Sequence, residues 1–298
     1  MATGRRLSAS KAGLILVAPA ATAIFVFFFL PVAAALLLGF TDFDIYALAD
    51  LANLRWVGLD NYAHLLRDPA FHKALRNTAY FVVVGVPASI ALSLCAAVLL
   101  HERVTRGKAI FRTLLFLPVV TTLVAVAVVW RYIFQPRGGL LNELLAGLGI
   151  APLDWLGDPV WAMPAIMLMA VWKNFGFNML IFLAALQSIP EQLYEAADLD
   201  GAGPVSRHRH VTLPLLAPTF RFVAVITVAG YFQLFAEPYV LTGGGPADST
   251  LSVVLLMYRE GFRWWNMGYA AAVAVMLFAI LVATTALLLA PGARRGER

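Results

Sequence analysis

Six long apolar runs dominate the chain: residues 13–40, 78–100, 110–134, 162–187, 218–241 and 267–290. A helix needs about 20 predominantly apolar residues to cross a hydrocarbon core of about 30 Å. All six runs reach that length, and none alternates apolar and polar residues as the strands of a membrane barrel do. In lipid every backbone amide must find its partner inside the segment, so the pattern predicts six transmembrane helices and an all-α membrane protein.

Composition agrees. The 298 residues are 61% hydrophobic and 13% charged, whereas a soluble domain is about a quarter charged and under half apolar. The first run follows Arg5, Arg6 and Lys11 as a signal sequence would. It is too long for an apolar signal region of about 7–15 residues, which predicts a retained first helix. The net charge of +5 is explained by topology rather than by nucleic-acid binding. With the N-terminus inside, the segments 1–12, 101–109, 188–217 and 291–298, with adjoining helix ends, hold thirteen Lys and Arg, including Arg103, Arg106, Lys108, Arg207, Arg209 and Arg294. The longer opposite segments hold eight, among them Arg55, Lys73, Arg131 and Arg259. The positive-inside rule therefore places both termini in the cytoplasm. Trp56, Trp130, Trp155, Trp161, Trp264 and Trp265 fall at the opposite ends of the runs, as an interfacial aromatic belt would. The lone Cys95 has no intrachain disulfide partner and reads as a packing residue.

Between the runs, residues 58–81 carry apolar residues at helical spacing, which predicts a short interfacial helix that turns into the membrane near Asn77 and Thr78. "LTGGGPADST" (241–250) predicts an irregular external loop, because three glycines and a proline cannot extend a stable helix.

The polar stretch "YEAADLDGAGPVSRHRHVTLPLLAP" (194–218) stands out from its surroundings. Ser188-Ile189-Pro190-Glu191 has the form of a capping box, which predicts a helix starting just after the fourth run and ending at Gly201-Ala202-Gly203-Pro204. Ala197 and Gly201, four residues apart, would present a face with little side chain, open to a close backbone approach. By its residues alone the stretch is either a solvated loop with capped ends or a rigid docking element for a soluble partner.

Glu195-Ala196-Ala197, three residues, Gly201, nine residues, then Val211-x-Leu213-Pro214 resembles the EAA motif of ATP-binding-cassette importer permeases, with Val in place of Ile. "GLDNYAHLLRDPAFHKALRNT", "RTLLFLPVV" (112–120) and "LTGGGPADST" are similar to segments of the maltose-type carbohydrate-uptake branch, so the likeness spans the chain. The resemblance implies a type I importer transmembrane domain, in the cytoplasmic membrane of a prokaryote. Glu195, Ala196, Ala197 and Gly201 would then dock on an ATP-hydrolysing subunit, with Val211, Leu213 and Pro214 joining the docking helix to the fifth span. It further implies a second, homologous permease, two ATP-binding subunits that hold ATP and Mg, and an extracytoplasmic solute-binding protein. Cargo in this branch is a sugar or oligosaccharide, or alternatively glycerol phosphate or a related polyol.

Lys173 is the one basic residue deep inside a run, away from its ends, and a Lys at mid-membrane costs about 2.5–3.5 kcal/mol on insertion scales. It must face protein or water. With Asn174 and Asn178 it forms either a polar wall of a translocation path or interhelical bonds. Tyr231, Gln233 and Glu237 form a second polar group, Glu237 near the outer end of the fifth run. Trp130 and Trp172 read as belt or packing residues that could alternatively stack on a sugar. His208 and His210, two apart, do not share a helix face and make a poor metal site. No P-loop, HExxH or GxSxG sequence is present, so neither ATP hydrolysis by that route nor these hydrolase chemistries is expected of this chain, and no bound cofactor is implied. An ion-coupled carrier is the rival transport reading, disfavoured because intramembrane carboxylates and internal repeats are scarce.

Overall fold

The computed structural model describes residues 9–101 and 107–290; Arg5, Arg6, Arg103, Arg106, Arg294, Arg295 and Arg298 of the charge argument lie outside the described residues. The first apolar run forms α1 (Ala9–Ile24), a π turn (Phe25–Phe29) and α2 (Leu30–Leu38), followed by short α3 (Ile45–Ala49) and α4 (Asp60–Leu65). Then come α5 (Pro69–His101), α6 (Lys108–Val120), α7 (Leu123–Ile133), α8 (Leu140–Gly147) and α9 (Ala162–Gln187). The polar stretch holds α10 (Glu191–Leu199), α11 (Pro204–Arg207), a π turn (His208–Thr212) and α12 (Leu213–Leu215). The chain closes with α13 (Ala217–Phe232), α14 (Ala236–Leu241), α15 (Val253–Tyr258), a π turn (Arg259–Arg263) and α16 (Met267–Leu289). Among the described residues five helical segments are long and apolar enough to span a membrane, and a sixth arises if α6 and α7, bent by 101° at Thr121–Thr122, count as one span.

The helices group into two compact units, one built on the residues before Asp68 with Met257–Met276, the other on Asp68–Leu256 and the residues from Leu277. In the first unit, the turn after α2 is an organised knot. Thr41 pairs with Trp56 in an antiparallel bridge, and Phe40 stacks on Trp56 at 5.5 Å and leans on Tyr62 at 5.2 Å. The Asn61 amide donates to the carbonyls of Gly39 and Thr41, and the Asp44 carboxylate caps α3. Gly268 N–H donates to Phe43 O, at 2.8 Å, fixing the start of α16. Along Leu16–Leu38 no side chain is buried, the condition of a helix whose surroundings are lipid or another chain.

In the second unit, α9 is buried nearly all round and serves as its axis. The buried stripe of α5 includes Gly85, Ser89, Ser93 and Ala97, four residues apart each time. Such small residues let membrane helices pack backbone to backbone. Ser93 Oγ donates to Phe175 O of α9 at 2.8 Å. On another side of α9, Gly176 faces α6 so closely that a Cβ there would stand 2.3 Å from the Leu115 carbonyl oxygen. Beyond α7, Asn142 holds the 134–155 segment together by bonding Gln135, Pro136, Leu153 and the Trp155 indole.

Four expectations need correction. The 110–134 run is broken into two helices, because the chain leaves helical geometry at Thr121 and Thr122, just after Pro118. No bend occurs at Asn77 and Thr78: α4 ends at Leu65, and α5 runs on from Pro69. Those two side chains are buried because they hold the 242–252 loop, Asn77 donating to Asp248 O and Leu251 O and Thr78 accepting from Val253 N–H. The tryptophans are not one belt: Trp56 and Trp264 are exposed while Trp130 is buried. Cys95 points outward rather than into the packing.

Two measurements check this arrangement. Gly176→Ala, which must push α6 away from α9 through backbone rather than a yielding side chain, should lower stability by about 1–3 kcal/mol, read as a lower melting temperature in detergent. Around Asp42, burial alone would raise the carboxyl pKa, but the amide and guanidinium of Arg55 outweigh it and hold Asp42 below the ordinary carboxylate value. That contribution is complete above the unfolded value of about 3.9 and lost as pH falls through the folded one. Hydrogen exchange of the 40–57 segment should therefore quicken modestly on acidification below pH 4, and Asp42→Asn should remove the dependence.

Candidate functional site

Two places in the second unit bring the singled-out residues together. The first is the polar stretch after α9. The helix forecast there exists, as α10, but not through a capping box: Ser188 instead terminates α9, its hydroxyl donating to Ala185 O at 2.7 Å, and the residue before α10 is an extended Pro190 without a side-chain cap. Proline's fixed φ and missing N–H suit a helix start without help from Ser188. The far end closes on Gly201. Gly201 N–H donates to Asp198 O and Ala202 N–H to Ala197 O, with Gly201 at φ +78°. This is a Schellman turn, in which the left-handed residue is best a glycine.

After that turn the chain does not loop back loosely. From Pro204 it is helical through α11, the π turn and α12 into α13, so the basic run lies on helix rather than loop. Two links fasten α10 to this helical path. The Tyr194 hydroxyl meets Thr212 Oγ1 at 3.1 Å, and Arg207 bonds Asp198 at 3.1 Å while its guanidinium sits 5.8 Å over the Tyr194 ring. His208 and His210 bond Thr212 and Ser206 respectively, turning to their own helix rather than to each other. Glu195, Ala196 and Gly201 are exposed and Ala197 half-buried; Val211, Leu213 and Pro214 sit where the π turn passes into α12. A cleft of about 680 Å³ runs beneath, lined by Glu191, Tyr194, Glu195, Asp198, Arg207 and His208 with the ends of α5 and α9. Leu199, 90% exposed between two aspartates, projects from α10, and Val205 is similarly open. Sequence reasoning missed Tyr194, Thr212, Leu199 and the Asp198–Arg207 pair. The pair could have been found from its opposite charges on either side of the glycine turn.

The second place is a cavity of about 490 Å³ framed by α5, α6, α7, α9, α13 and α14. Both helix breaks open onto it: Val119 and Leu123 flank the 121–122 break, and Gln233, Leu234 and Phe235 form the gap between α13 and α14. Asn174, Asn178, Tyr231, Gln233 and Glu237 all line it, joined by Thr227, which sequence reasoning did not single out. Asn178 donates to Thr227 Oγ1 at 2.9 Å, while Asn174 and Gln233 each donate to the carbonyl one turn earlier. Tyr231 is buried against Phe81, ring centroids 5.0 Å apart. Lys173 is only 8% exposed and is not part of the wall. Trp172 and Trp130 meet at a tilt outside the cavity, ring centroids 5.4 Å apart, Trp130 continuing to Phe134. Arg131 ties α7 to α14 through the carbonyls of Val240 and Leu241.

A multi-pass helical protein with a Gly-capped polar helix between two spans and a polar cavity at two helix breaks has the form of a transport permease. The chain belongs to the family described as binding-protein-dependent transport system inner membrane component, which matches residues 89–295. It is similar to the lactose transport system permease protein of Rhizobium radiobacter, 38% identical over 276 residues that cover 90% of this chain and 91% of that one. The sn-glycerol-3-phosphate transport system permease protein of Agrobacterium fabrum is 36% identical, covering 91% of each chain. Among solved structures, a bacterial ABC transporter involved in the import of the acidic polysaccharide alginate has the same fold, with a TM-score of 0.77 at 23% identity, over 92% of both chains. The fold is thus that of a type I importer transmembrane domain, and the chain is a multi-pass inner-membrane permease.

The Asn178–Thr227 bond joins α9 to α13 in a buried setting, where an orphaned polar group costs about 1–3 kcal/mol. Thr227→Val should lower the melting temperature, and Asn178→Leu in the same chain should recover part of the loss, a coupling that a double-mutant cycle measures.

Proposed function

We propose that this chain is one permease subunit of an ATP-driven, binding-protein-dependent importer for a sugar or oligosaccharide, and is itself non-catalytic. The observation that carries the reading is mechanical continuity. α10, with the EAA residues Glu195, Ala196, Ala197 and Gly201, is fastened by Tyr194–Thr212 and Asp198–Arg207 to the helical path that becomes α13. α13 then supplies Thr227, Gly230 and Tyr231 to the cavity wall. A push on α10 is therefore delivered to the cavity.

In this reading α10 docks on a separate ATPase subunit that holds ATP and Mg, with exposed Leu199 entering its surface and Val211, Leu213 and Pro214 carrying the movement to α13. A second, homologous permease completes the path and two ATP-binding subunits drive it. A solute-binding protein delivers cargo from the other side of the membrane. Both termini lie in the cytoplasm, by the distribution of Lys and Arg. The lactose-permease likeness supports a sugar cargo, and the glycerol-phosphate permease likeness keeps a phosphorylated polyol as the second reading.

The experiment is to tag this chain in its host, purify it gently, and compare wild type with Leu199→Asp and Gly201→Trp. Wild type should bring down a second permease and an ATPase subunit, and both variants should lose the ATPase subunit or lower cargo-stimulated ATP hydrolysis at least tenfold. A chain that purifies alone, with uptake unaffected by either change and dependent on an ion gradient, would establish a carrier instead.

A further inference from the structure

The donors and acceptors of the cavity wall carry the cargo question further, resting on the reading that this cavity is part of the path. None of the described residues lining it is Lys, Arg or His, and its single ionisable carboxyl is Glu237. The three amides add acceptor oxygens together with neutral N–H donors, and no charged donor. Asn174 and Gln233 each commit one N–H to a backbone carbonyl, of Ala170 and Ala229. A carbonyl can be met only by the amide nitrogen, so both amide orientations are fixed and both amide oxygens remain available. Asn178 likewise gives an N–H to Thr227. The wall therefore presents three amide oxygens, each beside one uncommitted N–H, with the Tyr231 and Thr227 hydroxyls and the Glu237 carboxyl, so every donor on it is neutral.

The cations nearby do not change this: Arg131 is committed to the carbonyls of Val240 and Leu241. Lys173 stands next to Asn174 in sequence but is buried and outside the wall. An anionic solute would meet the Glu237 carboxyl with only neutral donors, and no cation of the wall, to offset its charge, in surroundings where an uncompensated charge is costly. A sugar hydroxyl donates well to the same groups, and the apolar Phe177 and Phe235 offer surface to its carbon face.

We propose that this wall selects uncharged polyhydroxyl solutes and rejects those bearing phosphate, sulfonate or carboxylate, with Glu237 and Asn174 as the residues that impose the choice. Of the two cargo classes among the relatives, the chemistry fits the neutral one.

The test uses intact cells of the host, with and without this chain, grown on a mixture that includes lactose, arabinotriose, sn-glycerol 3-phosphate and galacturonate alongside a complex plant extract. Mass spectrometry of the spent medium identifies the solute left behind when the chain is missing. We expect a neutral sugar, taken up about tenfold or more slowly by Glu237→Gln and by Asn174→Leu, and recovered by Glu237→Asp at membrane levels matched by immunoblot. An anionic solute whose uptake still responds to these substitutions would overturn the charge inference while leaving the cavity as the path. Uptake of any solute that ignores all three substitutions would overturn both.

Discussion

The close contact of α5 with α9 is the constraint around which the second unit is arranged. Lipid gives two apolar helices little reason to prefer each other, so association depends on shape and on polar bonds between backbones. Small residues on the buried stripe of α5 supply shape, Gly85 making room for Met167 of α9 and for the Tyr231 ring of α13, and the Ser93 hydroxyl supplies a bond to Phe175 O. Gly176 repeats the device toward α6. With α9 gripped from two sides, its remaining surface carries Asn174, Phe177 and Asn178 to the cavity.

The two helix breaks make sense beside that cavity. A break inside a membrane leaves backbone groups without intrahelical partners, tolerable only where protein or a water-filled space receives them. Here the breaks at 121–122 and 233–235 lie on one cavity, and the second is steadied by Ser252, whose hydroxyl reaches Leu234 O at 2.5 Å. That serine ends the 242–252 loop, which Lys73, Asn77 and Thr78 of α5 hold down. The glycine-rich segment is thereby a structural clasp for α14 as well as a connection.

Much of this was legible in the chain and some was not, for identifiable reasons. Long apolar runs determine helices in lipid, and α9 matches its run residue for residue at 162–187. The glycine turn was legible because only one residue type sits comfortably at φ +78°. The capping box was misread because Ser188 has two jobs open to it, ending one helix or beginning the next, and local sequence does not say which carbonyl or amide is nearer. The break at Thr121 was hidden for a similar reason: hydropathy records what a segment is dissolved in, not whether its axis stays straight. The cavity's polar residues were individually visible, but that Lys173 stays out of the wall while Thr227 enters it depends on the rotation of α9 and α13, which no single-chain periodicity fixes.

The brace between α10 and the helix that follows it also bears on how such a protein can change over time. Because Asp198, Arg207, Tyr194 and Thr212 bind one another from either side of the glycine turn, they form an internal unit that owes nothing to a partner. The outward residues, Leu199 and Val205 among them, are relieved of any duty to hold the loop's shape. On the docking reading proposed above, a lineage can thus rewrite which motor the permease answers to while the transmission stays intact, so one architecture can be matched to a dedicated engine or to one shared among several transporters.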